Sequence, residues 1–343
     1  MTHPLSERDR EILRILISDY ISTADPIGSR SIAKKHPGGL SPATIRNVMS
    51  DLTELGFLTQ PHTSAGRIPT NMGFRYYVNS LLTKRDLTTH EMEVIRERCR
   101  EDEKGITSVL QRASHILALV SHYVGIVVTP SASRMIFKKI EFMRLSDRRL
   151  LGIFVSQEGF VENRLIELTE ELSYPELERI SNYCNSAFLG LTLDDALQKI
   201  EKELTTERAD YDKLLKKAML FSKQVIGDIG GIDLVVDGEE QLLDAPEFAE
   251  VEKFKKLLEA LNEKREILKL LENCRESDGV SIFIGSDTDV TGMGTIGIVG
   301  APYLKDGKMI GTLGVIGPMR MDYGSVVPIV DFTAKVLSDA LED

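Results

Sequence analysis

Apolar and polar residues alternate with a helical period at the start of the chain. In three segments, at about residues 5–23, 30–35 and 42–55, the apolar side chains fall on a single face. The third segment begins with Ser41, a good N-cap, and Pro42, whose missing N–H costs nothing at the first helical position. The pattern predicts three short helices, of which the third has the clearest start.

The third predicted helix has two faces of different chemistry. Its apolar stripe must face a core and consists of Ile45, Val48, Met49, Leu52 and Leu55. Its opposite face holds short or hydrogen-bonding side chains, namely Ala43, Thr44, Arg46, Asn47 and Ser50. Two short extended runs, 57–60 and 67–70, flank a turn that contains proline and glycine. Helix, short helix, turn, capped helix and hairpin is the order of a winged helix-turn-helix.

The exposed face of the third helix and the hairpin hold the side chains that would contact DNA. Arginine pairs with guanine O6 and N7 in the major groove, and asparagine pairs with adenine N6 and N7. We therefore predict base contacts by Thr44, Arg46 and Asn47. Further DNA contacts are predicted for Arg30, Ser41, Ser50, Thr63, Ser64 and Arg67. A small three-helix module that does not bind DNA is the alternative interpretation of this order of elements.

The pattern changes period several times in the rest of the chain. Helices are predicted at 72–82, 88–104, 106–124, 175–189, 192–204, 211–226, 246–274 and 325–341. Strands are predicted as a meander at 137–145, 150–156 and 160–168, then at 233–237 and within 280–317. Asp306-Gly307 is the expected hairpin turn of the last strands. The helical break after the meander indicates a helical insertion.

Charge is distributed unevenly along the chain. The whole sequence of 343 residues has a formal net charge of −11, which by itself argues against nucleic acid. Residues 1–85 nevertheless hold 11 Lys and Arg against 7 Asp and Glu, a net +4, and the remainder has a net −15. A basic head on an acidic body would bind phosphates with the head while the body helps to orient the docking. Chance fluctuation of surface charge is the alternative.

Several features exclude other classes of protein. No apolar run approaches the about 20 residues of a membrane span, and no signal peptide opens the chain, so we expect a cytoplasmic protein without a membrane partner. Cys99, Cys184 and Cys274 are widely spaced, which fits a reducing compartment and argues against a zinc site. His115 and His122 have no third ligand nearby, so we expect no metal site.

One motif resembles a nucleotide site. Residues 292–297 match G-x-G-x-x-G, but they lead into an apolar run stopped by Pro302 instead of opening a helix. We interpret them as a glycine-rich loop that enters a strand. No catalytic arrangement can be identified from spacing, and we therefore predict no enzymatic activity and no cofactor.

Four runs in the N-terminal part carry a family resemblance: LSPATIRN, ELGFL, QPHTSAGRIPT and GFRYYVNSLL. In this order they resemble the N-terminal signature of the HrcA family of heat-inducible transcription repressors. Val48, Phe74 and Asn79 depart mildly from the pattern expected in that family. The C-terminal strands, which end in a Gly-Val-Ile-Gly-Pro run and precede a helix, look like the end of a GAF-type sensor domain.

The resemblance implies an α+β fold. It consists of an N-terminal winged helix-turn-helix and a GAF-like antiparallel-sheet domain with an inserted helical dimerisation domain. The expected divisions are a DNA-binding domain at 1–85, a linker helix at 86–104, GAF-like parts at 105–155 and 241–343, and the insertion at 156–240.

The resemblance also implies a function. A HrcA-type repressor binds as a homodimer to the CIRCE inverted repeat ahead of chaperone and chaperonin operons. It depends on the GroEL chaperonin for its active fold, and heat-damaged proteins that occupy the chaperonin release repression. Two other classes remain open. A ligand-sensing GAF-type regulator of other genes would bind an effector in the body, and an enzyme with a nucleic-acid-binding head would need a catalytic cluster there.

Overall fold

The computed structural model describes most of the chain. The described residues are 5–62, 65–99, 106–130, 135–204, 213–227, 234–248, 255, 258–259, 261, 265–272, 274, 279–285 and 296–342. None of the helices in these ranges has the length and apolar character needed to cross a membrane.

The N-terminal head has the predicted order of elements. It consists of α1 (Glu7–Thr23), α2 (Ser29–Lys35), α3 (Pro42–Glu54), β1 (Leu58–Thr59) and β2 (Ile68–Pro69). Ser6 and Asp9 form a capping box that starts α1, because each side chain accepts a backbone N–H of the other. The two strands pair antiparallel, with Leu58 opposite Pro69. The head is therefore a winged helix-turn-helix.

Three helical segments connect the head to the body. They are α4 (Asn71–Tyr76), which continues as a π-turn (Tyr77–Leu81), α5 (Thr89–Cys99) and α6 (Ile106–Ser121). Thr70 caps α4 by accepting the Gly73 N–H. The Arg96 guanidinium of α5 lies 5.2 Å above the ring of Phe332, which holds α5 against the body.

A five-stranded antiparallel sheet forms the centre of the body. Its strands are β3 (Val124–Val128), β7 (Leu234–Asp237), β8 (Ser281–Ile284), β9 (Ile296–Lys305) and β10 (Lys308–Pro318), in the order β7-β3-β10-β9-β8. Asp306 and Gly307 form the predicted hairpin turn, both with positive φ. On one face the sheet packs against α6 and the C-terminal helix α11 (Tyr323–Glu342).

The other face of the sheet is also covered. Two short 3₁₀ segments (Glu239–Asp244 and Pro246–Phe248) and the helix α10 (Arg265–Glu272) pack against it. The predicted continuous helix at 246–274 is wrong at its start, because Pro246–Phe248 is a 3₁₀ turn. Within that prediction, residues 249–254, 256–257, 260, 262–264 and 273 lie outside the described part of the chain.

Strand β3 corrects the sequence-based prediction of a helix at 106–124. Helix α6 ends at Ser121, and Val124–Val128 form the strand between β7 and β10. All five residues of β3 are buried, because both faces of the sheet are covered. A strand buried on both faces has no alternation of apolar and polar residues, so its VGIVV sequence continued the apolar pattern of the helix before it.

The second sheet and the helices after it form one inserted unit. Strands β4 (Phe137–Ser146), β5 (Arg149–Ser156) and β6 (Val161–Glu167) make the predicted meander, and α7 (Tyr174–Phe188), α8 (Leu193–Leu204) and α9 (Lys213–Ile226) follow. One apolar core joins all six elements. The structure thus groups the meander with the helices, whereas the predicted division after residue 155 separates β5 from β6, its hydrogen-bonded partner.

Candidate nucleic-acid interface

Helix α3 presents a polar face to solvent because its apolar stripe is held in the core of the head. Ile45, Val48, Met49 and Leu52 are buried as predicted, whereas Leu55, which follows the last helical residue, is 49% exposed. Four predicted contact positions are exposed on the opposite face and at its start: Ser41, Arg46, Asn47 and Ser50. This face is free to enter a major groove.

The N-terminus of α3 is fixed by two of the predicted site residues. The Ser41 hydroxyl accepts the Thr44 N–H at 3.1 Å and lies 2.9 Å from the Thr44 hydroxyl. Thr44 itself is half-buried. Ser41 therefore has a structural part in setting the end of the helix that reaches base edges in helix-turn-helix proteins.

The base of the wing is attached to the segment that precedes α2. Ile27 and Arg67 exchange two backbone hydrogen bonds, each of 2.9 Å. Gly66 allows this approach, since a Cβ atom there would lie 2.3 Å from the Ile27 carbonyl oxygen. The wing is thereby fixed relative to the helices.

The side chain of Arg67 points toward α3. Its Nε donates to the Thr53 hydroxyl at 3.1 Å, and that hydroxyl donates to the Met49 carbonyl at 2.7 Å. The structure thus places Arg67 between the wing and α3, where this residue also lines a cleft.

This cleft, of ≈ 600 Å³, lies between α2, α3 and the wing. Its lining includes Arg30, Arg46 and Arg67, which the sequence separates widely, and no acidic residue is among the described residues that form it. Three arginines that line one opening make it positive, and phosphate oxygens accept hydrogen bonds from the planar donor groups of arginine.

The remaining predicted residues and one further residue complete the site. Thr63 and Ser64 lie outside the described residues. Gln60, which was not among the predicted contacts, lines the cleft and donates to the Ala65 carbonyl at 3.0 Å across the wing. Its position directly before Pro61, at the base of the predicted turn, is the only sequence signal for it.

The body also contains a groove, of ≈ 550 Å³, between α11 and strands β9 and β10. Three of its polar side chains bond within the chain: Ser338 Oγ accepts the Leu304 N–H at 2.9 Å, and Lys335 pairs with Asp331 at 2.6 Å. Among the described residues, no cluster of His, Cys, Asp and Glu is suited to hold a metal ion.

Comparison with known protein families identifies both parts of the chain. Residues 4–80 match the winged helix-turn-helix transcription repressor domain, HrcA DNA-binding. Residues 107–327 match the HrcA protein C-terminal domain. The chain belongs to the HrcA family. The resemblance seen in the four N-terminal runs is thus confirmed, and this HrcA-family chain carries the DNA-binding domain of a transcription repressor.

Relatives with the same family name match this HrcA-family chain over nearly its whole length. The heat-inducible transcription repressor HrcA of Geobacter sulfurreducens is 46% identical over 338 residues, which are 98% of this chain and 98% of the relative. That of Syntrophobacter fumaroxidans is 38% identical and covers 99% of this chain and 98% of its own length. These similarities agree with the predicted class, a transcription regulator that binds DNA.

A solved structure supports the fold. The crystal structure of a hypothetical protein at 2.2 Å resolution matches with a TM-score of 0.64 at 22% identity, over 98% of this chain and 99% of that one. The fold class, a winged helix-turn-helix joined to antiparallel-sheet and helical parts, is thereby confirmed for this HrcA-family chain.

Proposed function

We propose that this protein represses heat-shock operons in the bacterial cytoplasm by binding, as a homodimer, to an inverted-repeat operator of the CIRCE type. The observation that carries the proposal is the exposed polar face of α3 beside the three-arginine cleft. The names of the relatives, heat-inducible transcription repressors, support the choice of genes.

The DNA contacts divide into two groups. Thr44, Arg46 and Asn47 read bases in the major groove, since they lie in the first half of α3. The proposed backbone contacts come from Arg30 and Arg67 at the cleft and from Ser41 and Ser50 at the start and on the exposed face of α3. Thr63 and Ser64, from the turn in the sequence between the two wing strands, are proposed to add to them. Contacts to phosphates hold the head in place but carry no sequence information by themselves.

The second copy of the chain binds to the outer face of the meander. Cross-strand pairing brings Met143, Leu151 and Leu165 into one row and Val155 and Val161 into another. Leu165 is 66% exposed, Val161 60% and Met143 51%, and no other described element covers them. We define this outer face by Met143, Leu151, Ile153, Val155, Val161 and Leu165.

A second copy fits this surface better than a different partner does. Apolar patches of this kind mark protein interfaces, and a two-fold dimer pairs the same patch on both subunits. An inverted repeat needs that symmetry, because its two half-sites are related by a two-fold axis. The pairing of Lys139 with Glu141 at 2.6 Å neutralises the charges at one edge of the outer face.

The chaperonin acts before dimerisation. A monomer with an uncovered outer face exposes apolar side chains of the sort that drive aggregation of partly assembled proteins. GroEL-type chaperonin would hold such a monomer and release it to dimerise. When heat-damaged proteins occupy the chaperonin, less active repressor forms and the operons are transcribed.

The test is fluorescence anisotropy with a labelled inverted-repeat duplex and a scrambled duplex of equal length, over a series of salt concentrations and with or without chaperonin. We expect tight binding to the repeat alone and more active protein with chaperonin. Equal and steeply salt-dependent binding to both duplexes would reject sequence-specific repression, because phosphate contacts alone produce that behaviour. Specific binding that chaperonin leaves unchanged would reject the chaperonin step only.

A further inference from the structure

The head and the body touch at a turn that the DNA-binding site does not include. This turn, residues 319–322, connects β10 to α11. From it, Arg320 Nη1 donates to the carbonyl oxygen of Ile21 at 3.0 Å. Ile21 belongs to the last turn of α1, so this hydrogen bond joins the body directly to the head.

The Ile21 carbonyl is one of the groups that a helix leaves without a partner at its C-terminus. Helix α1 has no basic residue in its last turn, although a cation there is favourable. Arg320 supplies this cation from the body. The hydrogen bond from Arg320 to Ile21 restricts the orientation of α1 relative to the body. The carbonyl is fixed by the helix, and the guanidinium is a rigid planar group.

The body holds the guanidinium in place. Arg320 Nε donates to Glu247 Oε1 at 2.5 Å, and the two side chains are only 17% and 23% exposed. Glu247 Oε2 is buried without a hydrogen-bond partner among the described residues. The pKa of Tyr20 in the head is raised, first by burial and second by the negative charge of Glu247. This agrees with the position of Glu247 close to α1.

Two other contacts limit where the head can lie. Arg85, after the π-turn, donates its N–H to the Gly324 carbonyl at 3.1 Å and its Nε to the Ser325 hydroxyl at 2.8 Å. Asn71 of α4 lies against Gly285, where an added Cβ would come within 2.5 Å of its amide carbon. These contacts fix the connecting segment, and Arg320 fixes α1.

We propose that Arg320, held by Glu247, is a positioning residue that sets the orientation of the head on the body and thereby selects the spacing between operator half-sites. This inference rests on the proposed function, since spacing matters only to a dimer on an inverted repeat. Each head contacts its own half-site, and the angle at which the body holds the two heads decides which separation both can occupy.

The first measurement tests the orientation without DNA. Cysteines placed at the exposed positions Glu54 and Asp339 carry spin labels in the full-length chain, diluted with unlabelled protein. The three native cysteines are buried, which raises the pKa of each thiol to about 11 and leaves them unreactive. We expect a narrow distance distribution in the parent protein and a broad one in Arg320→Ala.

The second measurement compares operators whose half-sites are separated by different spacers, together with a duplex that contains one half-site. We expect Arg320→Ala to lower the preference for the best spacer by at least about tenfold, the lower end of what loss of one hydrogen bond to a charged group produces. Affinity for the single half-site stays unchanged, because α3 and the wing are intact.

Three further variants separate positioning from folding. Glu247→Gln removes the negative charge but keeps an amide oxygen that can accept the Arg320 Nε–H, so it should give an intermediate loss of spacing preference. Arg320→Lys retains the charge and should restore part of the preference. Arg98→Ala, an exposed arginine on α5, is the matched control and should behave as the parent. Thermal melts show that each variant is folded.

Unchanged distances and unchanged spacer preference in Arg320→Ala would overturn the inference. If no protein, including the parent, prefers an inverted repeat, the proposed function fails, while the distance distributions still decide whether Arg320 positions the head. The two failures are therefore distinguishable.

Discussion

Two surfaces of this protein face outward and differ in chemistry. The exposed face of α3 and the adjoining cleft hold hydroxyl, amide and guanidinium groups. The outer face of the meander holds mainly Leu, Val, Ile and Met, of which Leu165, Val161 and Met143 are more than half exposed. The polar residues Lys139, Glu141 and Asn163 share this face. Both surfaces lie on regular elements whose opposite faces are buried in a core.

The difference indicates two kinds of partner. A polar surface with clustered arginines gains affinity from phosphates and loses it as salt is added. An apolar surface gains affinity from the removal of its area from water, which depends little on salt. DNA and a second copy of the chain fit these two requirements, and the following predictions test whether the two surfaces really act separately.

The largest effect is expected on the apolar surface. Leu165→Asp places an unpaired carboxylate in the proposed dimer contact, and two-fold symmetry repeats the change in the same interface. We expect the dimer dissociation constant to rise by at least about 100-fold, since burial of an unpaired charge costs several kcal/mol. Analytical ultracentrifugation measures it.

The control for this change is Leu243→Asp, which alters another exposed leucine, 58% exposed, on a different part of the body. It should leave the dimer intact. A dimer that withstands Leu165→Asp would show that the second copy binds elsewhere and that the outer face of the meander is not the dimer contact.

A smaller effect, confined to DNA, is expected for Arg46→Ala. It should weaken operator binding by about 1–3 kcal/mol and relax specificity at a single base position, because one bidentate base contact is lost. Competition anisotropy with operators mutated one position at a time measures this. The dimer dissociation constant should not change. A loss that is equal for all sequences would remove Arg46 from base readout.

Arg67→Ala should produce a weaker and more uniform loss. Arg67 lines the cleft beside the wing, so we propose the DNA backbone as its partner. We expect lower affinity for operator and scrambled duplexes alike, and a salt dependence reduced by about one unit of slope. Because Arg67 also bonds to Thr53, a melt of the free protein should accompany the titration. An altered base preference would contradict a phosphate role.

The smallest effect concerns the segment between the two surfaces. Arg85 hydrogen bonds to Glu91 through both terminal nitrogens, at 2.8 and 2.5 Å, and lowers the pKa of Glu91 from 4.5 to about 2. A carboxyl group whose pKa is lower in the folded than in the unfolded state stabilises the fold at pH values above its unfolded pKa. This stabilisation is lost as the pH falls toward its folded pKa. Glu91→Gln should therefore cost up to about 1 kcal/mol at neutral pH, because the pair is partly solvated.

Denaturant unfolding as a function of pH tests this prediction. The difference between Glu91→Gln and the parent should shrink as pH falls from 4.5 toward 2, since the parent carboxylate is then protonated as well. A difference that does not depend on pH would mean that the ion pair contributes nothing. Glu91→Gln should change neither the affinity for DNA nor the dimer dissociation constant by a comparable amount.

The sequence predicted local elements where one face of an element is solvated. Helix α3, its Ser41 cap and the three meander strands all have this pattern, and their bounds agree with the structure within a few residues. It did not predict β3, because a strand buried on both faces has no alternation. The 3₁₀ turn at Pro246–Phe248 was likewise hidden in an apolar periodic run.

The candidate site divides in the same way. Contiguous residues were enough to predict which side chains lie on the exposed face of α3, to predict the wing and to indicate the family. Each of these depends on a local pattern or motif. The convergence of Arg30, Arg46 and Arg67 on one cleft does not, because three elements must pack before these arginines meet. The grouping of the meander with helices α7–α9, and the bond from Arg320 to Ile21 across 299 positions, also arise only from packing. Neighbouring residues determine where a helix, strand or turn forms. Which of these elements pack together depends on the burial of their apolar faces away from water, and residues distant in the sequence contribute those faces.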